Sequence, residues 1–104
     1  MKLYVVCWSC SYFADHDGLG TNTGVQGVYK SRESAKVGLE EFKDEVLANL
    51  REDVDPDGDM PELMDEIDLV IDGSVDEEYY RFEYTLGCEP VNELIKIEEV
   101  EITD

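Results

Sequence analysis

Ser31-Arg32-Glu33-Ser34-Ala35-Lys36-Val37-Gly38-Leu39-Glu40-Glu41-Phe42-Lys43-Asp44-Glu45-Val46-Leu47-Ala48-Asn49-Leu50-Arg51-Glu52 decides the fold class. Ala35, Leu39, Phe42, Val46 and Leu50 recur at spacings of four, three, four and four. That is the apolar stripe of an amphipathic helix, and it predicts a helix over roughly residues 32–52. Ser31 is the expected N-cap, with Glu33 favourably placed in the first turn. Gly38 costs such a helix about 1 kcal/mol relative to Ala. The opposite face carries Glu40, Glu41, Asp44, Glu45 and Glu52.

On the N-terminal side, Leu3 to Trp8 is β-branched and aromatic and reads as a strand buried on both faces or nearly so. Asp15 to Gly24 is polar and glycine-rich and reads as a loop. Val25 to Tyr29 returns as a second strand, antiparallel to the first, giving a hairpin with a long tip. On the C-terminal side, Asp53 to Pro61 breaks the helix, and Glu62 to Glu66 suits a short helical turn. Asp68 to Asp72 reads as a short strand and Gly73-Ser74 as a turn. From Glu78 to Leu86 the pattern alternates, with Tyr80, Phe82, Tyr84 and Leu86 on one side and Tyr79, Arg81, Glu83 and Thr85 on the other. A turn over Gly87 to Asn92 leads to a last strand, Leu94 to Ile102. The adjacent acids Glu98-Glu99 interrupt its alternation and suggest a β-bulge. The order β-β-α-β-β-β predicts an α+β fold, one antiparallel sheet with a helix on one face. The position of the short strand at 68–72 within that sheet stays open.

The chain has 104 residues, a length suited to a single domain over residues 1–104. Its hydrophobic share, 42%, is enough for a modest core and argues against wholesale disorder. No apolar run approaches the length of a membrane span, and Leu3 to Val6 is too short for a secretory leader. A cytoplasmic location is the resulting expectation. The formal charge is −19, from 27 acids and 8 bases. Such a field repels nucleic acids and anionic membranes, so direct binding to either is excluded. The charge is one-sided: residues 1–39 are net +1 and residues 40–104 net −20. Solubility needs a net charge of only about 2–8. The surplus points to a use for the charge; a halophile-type or simply acidic surface is the plain alternative.

Cys7-Trp8-Ser9-Cys10 forms a C-x-x-C. A redox dithiol would require a helix N-terminus, and strand-like sequence stands there instead. A zinc site from Cys7, Cys10, His16 and Cys88 has suitable ligand types but lacks a second paired motif. Packing as small apolar residues is the reading that needs nothing further. Asp53-Val54-Asp55-Pro56-Asp57-Gly58-Asp59 is similar to the first half of an EF-hand calcium loop. Asp53, Asp55, Asp57 and Asp59 would then hold a weakly bound calcium; Met64 stands where the loop's closing Glu is required. Apart from that alternative, no cofactor is expected. No nucleophile elbow, phosphate loop or singled-out acid pair appears, so the expectation is a non-enzyme.

Rows of acids offer another role. Carboxylates at i, i+3 and i, i+4 on a helix lie about 5–6 Å apart, and at i, i+2 on a strand about 7 Å apart. DNA carries one charge per roughly 3.4 Å of each strand. The candidate rows are Glu40, Glu41, Asp44, Glu45 and Glu52 on the helix; Asp53, Asp55, Asp57 and Asp59 in the loop; and Glu83, Glu93, Glu98, Glu99 and Glu101 on the last strands. Tyr79 is a candidate stacking anchor. In size, charge and layout the chain resembles small acidic DNA-mimic inhibitors of phages and mobile elements, of the anti-CRISPR and anti-restriction types. Tyr4-Val5-Val6 and Gly27-Val28-Tyr29-Lys30-Ser31-Arg32-Glu33-Ser34-Ala35 are similar to a hairpin-then-helix pattern in small bacterial and phage domains of unknown function. The resemblance implies action in the host cytoplasm against a basic nucleic-acid-binding protein such as a host nuclease. A homodimer formed through the strand at 94–102 is the remaining alternative.

Overall fold

The computed structural model describes residues 1–14, 18–86 and 89–103. The order is β1 (Lys2–Ala14), β2 (Gly18–Tyr29), α1 (Arg32–Val54), a 3-10 helix η1 (Pro61–Ile67), β3 (Val70–Ser74), β4 (Tyr79–Leu86) and β5 (Glu89–Glu101). The five strands form one antiparallel sheet in the order β2-β1-β5-β4-β3, with α1 against one face. The class is α+β, as the sequence predicts.

α1 begins where the cap chemistry directs. Ser31 is extended (φ −131°, ψ 151°), and its Oγ accepts the Ser34 N–H at 3.1 Å. The stripe predicted from periodicity faces the sheet: Ala35, Leu39 and Leu50 are buried, and Phe42 and Val46 pack against the same cluster. The sheet supplies Val6 from β1, Tyr80, Phe82 and Tyr84 from β4, and Val91, Ile95 and Ile97 from β5. Gly38 is buried at the point where α1 meets Tyr29 of β2: a Cβ there would overlap the Tyr29 hydroxyl and lie 2.5 Å from its Cζ. Its helix-propensity cost therefore has a packing reason.

Several boundaries differ from the sequence reading. The glycine-rich stretch from Gly18 to Gly24 is strand rather than loop. Gly24 pairs with Trp8, whose indole lies across it, and a Cβ at Gly24 would approach that ring to 2.7 Å. The glycine there makes room for an aromatic rather than a turn. Residues 15–17, in the predicted loop, lie outside the described residues. β5 starts at Glu89 rather than Leu94, since Glu89–Asn92 pair in register with Glu83–Leu86. β3 is shifted to Val70–Ser74 and lies at the sheet edge beside β4. The reversal falls after it, where the Ser74 carbonyl and hydroxyl both accept the Glu77 N–H.

The expected bulge at Glu98-Glu99 is absent; β1 and β5 pair without a shift from Lys2↔Glu101 to Tyr12↔Val91. The two acids alternate normally. They can sit side by side because β5 runs past the core after Ile97, where both faces meet water. The irregularity lies instead in β2, where Gln26 is the extra residue between Gly27↔Val6 and Val25↔Cys7. β5 is the central strand, bonded to β1 and β4. β4 pairs with β5 only as far as Lys96, so for a homodimer through the strand at 94–102 the side towards β4 is open only beyond Ile97; the two outer edges of the sheet belong to β2 and β3.

The Cα radius of gyration is 15.5 Å, above the roughly 13 Å of a compact chain this long. The extents, 49 × 33 × 21 Å, describe an elongated slab. Among the described residues no helix is long and apolar enough to cross a membrane.

Candidate acidic interaction surface

Strand alternation and helix rotation sort the predicted acids into separate groups. On α1, Glu41, Asp44, Glu45 and Glu52 are exposed and fall on one stripe, with neighbours three, four and seven residues apart. Glu40 is turned the other way. It accepts hydrogen bonds from Lys43 Nζ at 2.5 Å and from the Tyr80 hydroxyl on β4. Those two donors hold its carboxyl below the ordinary carboxylate range, with Lys43 the larger influence. Lys43 lies 5.1 Å from the Tyr80 ring centroid, completing a small network between helix and sheet. Glu40 therefore fastens the fold and does not belong to the outward row.

Asp53 is still within α1, and Asp55 is its C-cap, with its backbone N–H donating to Arg51 O at 2.8 Å. The Asp55 carboxylate accepts the Met60 N–H at 3.1 Å, and its carbonyl accepts the Gly58 N–H, where Gly58 has φ 71°. These bonds close the loop and leave Asp53, Asp57 and Asp59 exposed. Of the calcium alternative's ligand positions, Asp53 lies in the last turn of the helix and the Asp55 carboxylate accepts the Met60 N–H. Among the described residues no group of three His, Cys, Asp or Glu is placed to hold a metal ion.

The strand acids divide between the two faces. Glu83 and Glu98 lie on the open face, and Glu98 pairs with Lys96 at 2.8 Å. Glu93, Glu99 and Glu101 lie on the helix side. Glu99 is 3.4 Å from Arg32 and 3.6 Å from Lys2, and Glu101 is 3.3 Å from the N-terminal amine. Arg32 also pairs with Glu78 and stands 5.0 Å from the Tyr4 ring centroid. Glu93 is half-buried beside Cys10 and Tyr84. Burial, then the Glu93 charge, pushes both of those groups' pKa values up. These five acids do not form one row, because successive strand residues point to opposite faces. Tyr79 is half-buried on the open face opposite Lys96 and stands apart from the helix stripe.

The sequence reading missed Glu62, Asp65, Glu66 and Asp68. All are exposed, in or just after η1, which packs on α1 and β4. A signal for them exists: residues 52–68 contain nine acids and no Lys or Arg. Among the described residues none of Glu41, Glu45, Glu52, Asp53, Asp57, Asp59, Glu62, Asp65, Glu66 and Asp68 makes an ion pair; Asp44 has one, at 3.9 Å to Lys43. Apart from Asp44, the helix stripe and the segment after it form a stretch of carboxylates without ion pairs among the described residues, with Arg51 the one base in sequence between Glu45 and Asp68.

The cysteines do not act as a pair. Cys7 lies on the open face and Cys10 on the helix face, three residues apart along one strand. At about 3.3 Å per residue and on opposite faces, they can neither bridge nor share a metal. Burial is the main cause pushing both thiols' pKa values up, consistent with packing. His16 and Cys88 of the suggested zinc set lie outside the described residues. The cleft between α1 and the sheet, lined by Trp8, Cys10, Phe42, Val46, Glu93 and Ile95, measures about 120 Å³. No protein-family model matches the sequence, and searches of curated proteins and of solved structures each returned no match.

Proposed function

We propose that the protein is a non-enzymatic acidic inhibitor that occupies the basic DNA-binding groove of a host defence nuclease, an RNA-guided nuclease first and a restriction enzyme second. The observation that carries this reading is the acidic stretch from Glu41 through Asp68, without ion pairs among the described residues apart from Asp44, held on α1, the closed 55–60 loop and η1. Its helix carboxylates are spaced at about 5–6 Å, which approaches the charge spacing of a polyphosphate. A groove lined with Lys and Arg would exchange its counterions for these carboxylates, so binding falls steeply as salt rises. Narrowing the surface in this way removes Glu40, Glu83, Glu93, Glu98, Glu99, Glu101 and Tyr79 from the proposed contact.

The test is cleavage by a basic nuclease with graded inhibitor, alongside co-elution at low and high salt. Charge reversal of Glu41, Asp44, Glu45 and Glu52 to Lys, or of Asp57, Asp59, Glu62 and Asp65 to Lys, is expected to weaken inhibition at least about tenfold. Reversal of Glu98 and Glu101, already paired within the chain, is expected to change it less. Full inhibition by both reversed sets would sink the proposal.

A further inference from the structure

The two edges of the sheet are built differently. β3 is five residues long, contains Asp72, and follows the left-handed Asp68 (φ 54°). A short, charged edge resists strand addition. β2 is twelve residues long, Gly18–Tyr29, with no Lys, Arg, Asp, Glu or Pro. Among the described residues no strand pairs with its outer edge. The bulge at Gln26 leaves Gly18–Val25 as an unbroken run. In a chain that is 34% charged, the Gly18–Val25 part of this edge carries no charge, proline or bulge to protect it.

We propose that β2 pairs with β2 of a second copy, antiparallel about a twofold axis, joining two sheets into one. An antiparallel edge matched to itself is self-complementary in its backbone hydrogen bonds, as an isologous contact requires. The charge layout selects a second copy. β2 belongs to the half that is net +1, and it lies at the opposite edge from β3, four strand spacings or roughly 19 Å away. Pairing through β2 sets the near-neutral edges together. The acids of η1, which packs beside β4 three strand spacings or roughly 14 Å from β2, are then kept from the partner by more than the Debye length of about 8 Å at physiological salt. An uncharged strand offers no charge by which a foreign partner could be chosen. Thr23 and Val25, both exposed, supply β-branched residues for cross-strand contact.

Sedimentation velocity from about 5 to about 200 µM, in low and high NaCl, tests this by mass action. A dimer is expected whose association tightens as salt rises, because two −19 chains repel. That sign is opposite to carboxylate binding in a basic groove, so the two proposals fail separately. The variant T23K/V25K places like charges on the strand, on the face away from α1, and is expected to weaken the dimer at least about tenfold. D72K, on the other edge, is expected to leave it. Hydrogen exchange of the Asn22–Tyr29 amides in the unaltered chain is expected to slow with concentration. A monomer at the highest concentration would overturn the proposal, as would a dimer that survives T23K/V25K but not D72K, or exchange in β2 that ignores concentration.

Discussion

Replacing Gly38 by Ala sets two opposed effects against each other. The helix gains about 1 kcal/mol, because Ala is the better helix former and the unfolded chain loses freedom. The added Cβ meets the Tyr29 side chain, with Cζ at 2.5 Å and Cε2 at 3.0 Å. Ordinary contact needs roughly 3.5 Å, so the ring must retreat by about 1 Å or α1 must lift. Retreat along β2 is restricted, since the same ring already lies close over Gly27, 3.0 Å from where its Cβ would be. Overpacking of this kind costs about 1–3 kcal/mol. The net expectation for G38A is destabilisation by about 1 kcal/mol, or a fall in Tm of roughly 4–8 °C for a domain of this size. Urea unfolding at constant m-value measures it. The decisive comparison is made in a Tyr29→Val background, which empties the space. There G38A should reverse sign and stabilise by about 1 kcal/mol. If G38A stabilises the unaltered chain, or if its effect is the same in both backgrounds, Tyr29 is not what fixes glycine at this position.

Two further outcomes follow from the site geometry. Burial raises the pKa of Tyr84 above that of an unfolded tyrosine, so the unfolded chain loses that proton first. Tyr84 therefore contributes stability that is whole below about pH 10 and is lost as pH rises beyond it, by up to about 1.4 kcal/mol per pH unit. Urea melts above and below pH 10 should show a shallower alkaline decline in Tyr84→Phe; an unchanged slope would place the lost proton elsewhere. Arg32 joins Glu78, Glu99 and the Tyr4 ring, and Arg32→Ala should lower Tm by a few degrees while Arg32→Lys restores part of it. Equal losses in both variants would show that a charge on an aliphatic stem does not suffice and that the planar guanidinium, shared by Glu78, Glu99 and the Tyr4 ring, is what matters.

The helix was the most legible element because its signals agree: a Ser31 cap, a stripe at helical spacing, and a proline-containing stop. The alternation of Tyr80, Phe82 and Tyr84 was equally plain, because period 2 leaves no other way to bury one face. Glycine misled the reading of β2 up to Gly24, since Gly24 makes room for Trp8, which is distant in sequence. Of the strand order the β1–β2 hairpin was legible, but the pairing of β1 with β5 and the edge position of β3 were not, as they depend on which edges meet in space. Of the candidate surface, the helix stripe and the Asp53–Asp59 run were readable from acid density. The inward turn of Glu40 and Glu93 was not, because only the fold decides which acids meet Tyr80, Tyr84 or a cation.

The placement of the bases bears on why the surplus charge exists. Lys2, Arg32, Lys43 and Lys96 pair with acids at or next to the sheet: Glu99, Glu78, Glu40 and Glu98. Of these, only the Lys43–Glu40 pair, joined to buried Tyr80, borders the core, while Lys2–Glu99 and Lys96–Glu98 are half-exposed at the sheet surface. No comparable relief reaches the 52–68 segment, although one base there would ease its self-repulsion. A surface made acidic only for solubility, in salt or otherwise, has no reason to leave residues 1–39 at net +1. Neutralisation near the sheet together with concentrated charge on the helix layer is the distribution expected if the fold tolerates those carboxylates for the sake of a cationic partner. On this argument the acids that stabilise the fold and the acids that meet the partner are different residues, and each set can be changed without the other.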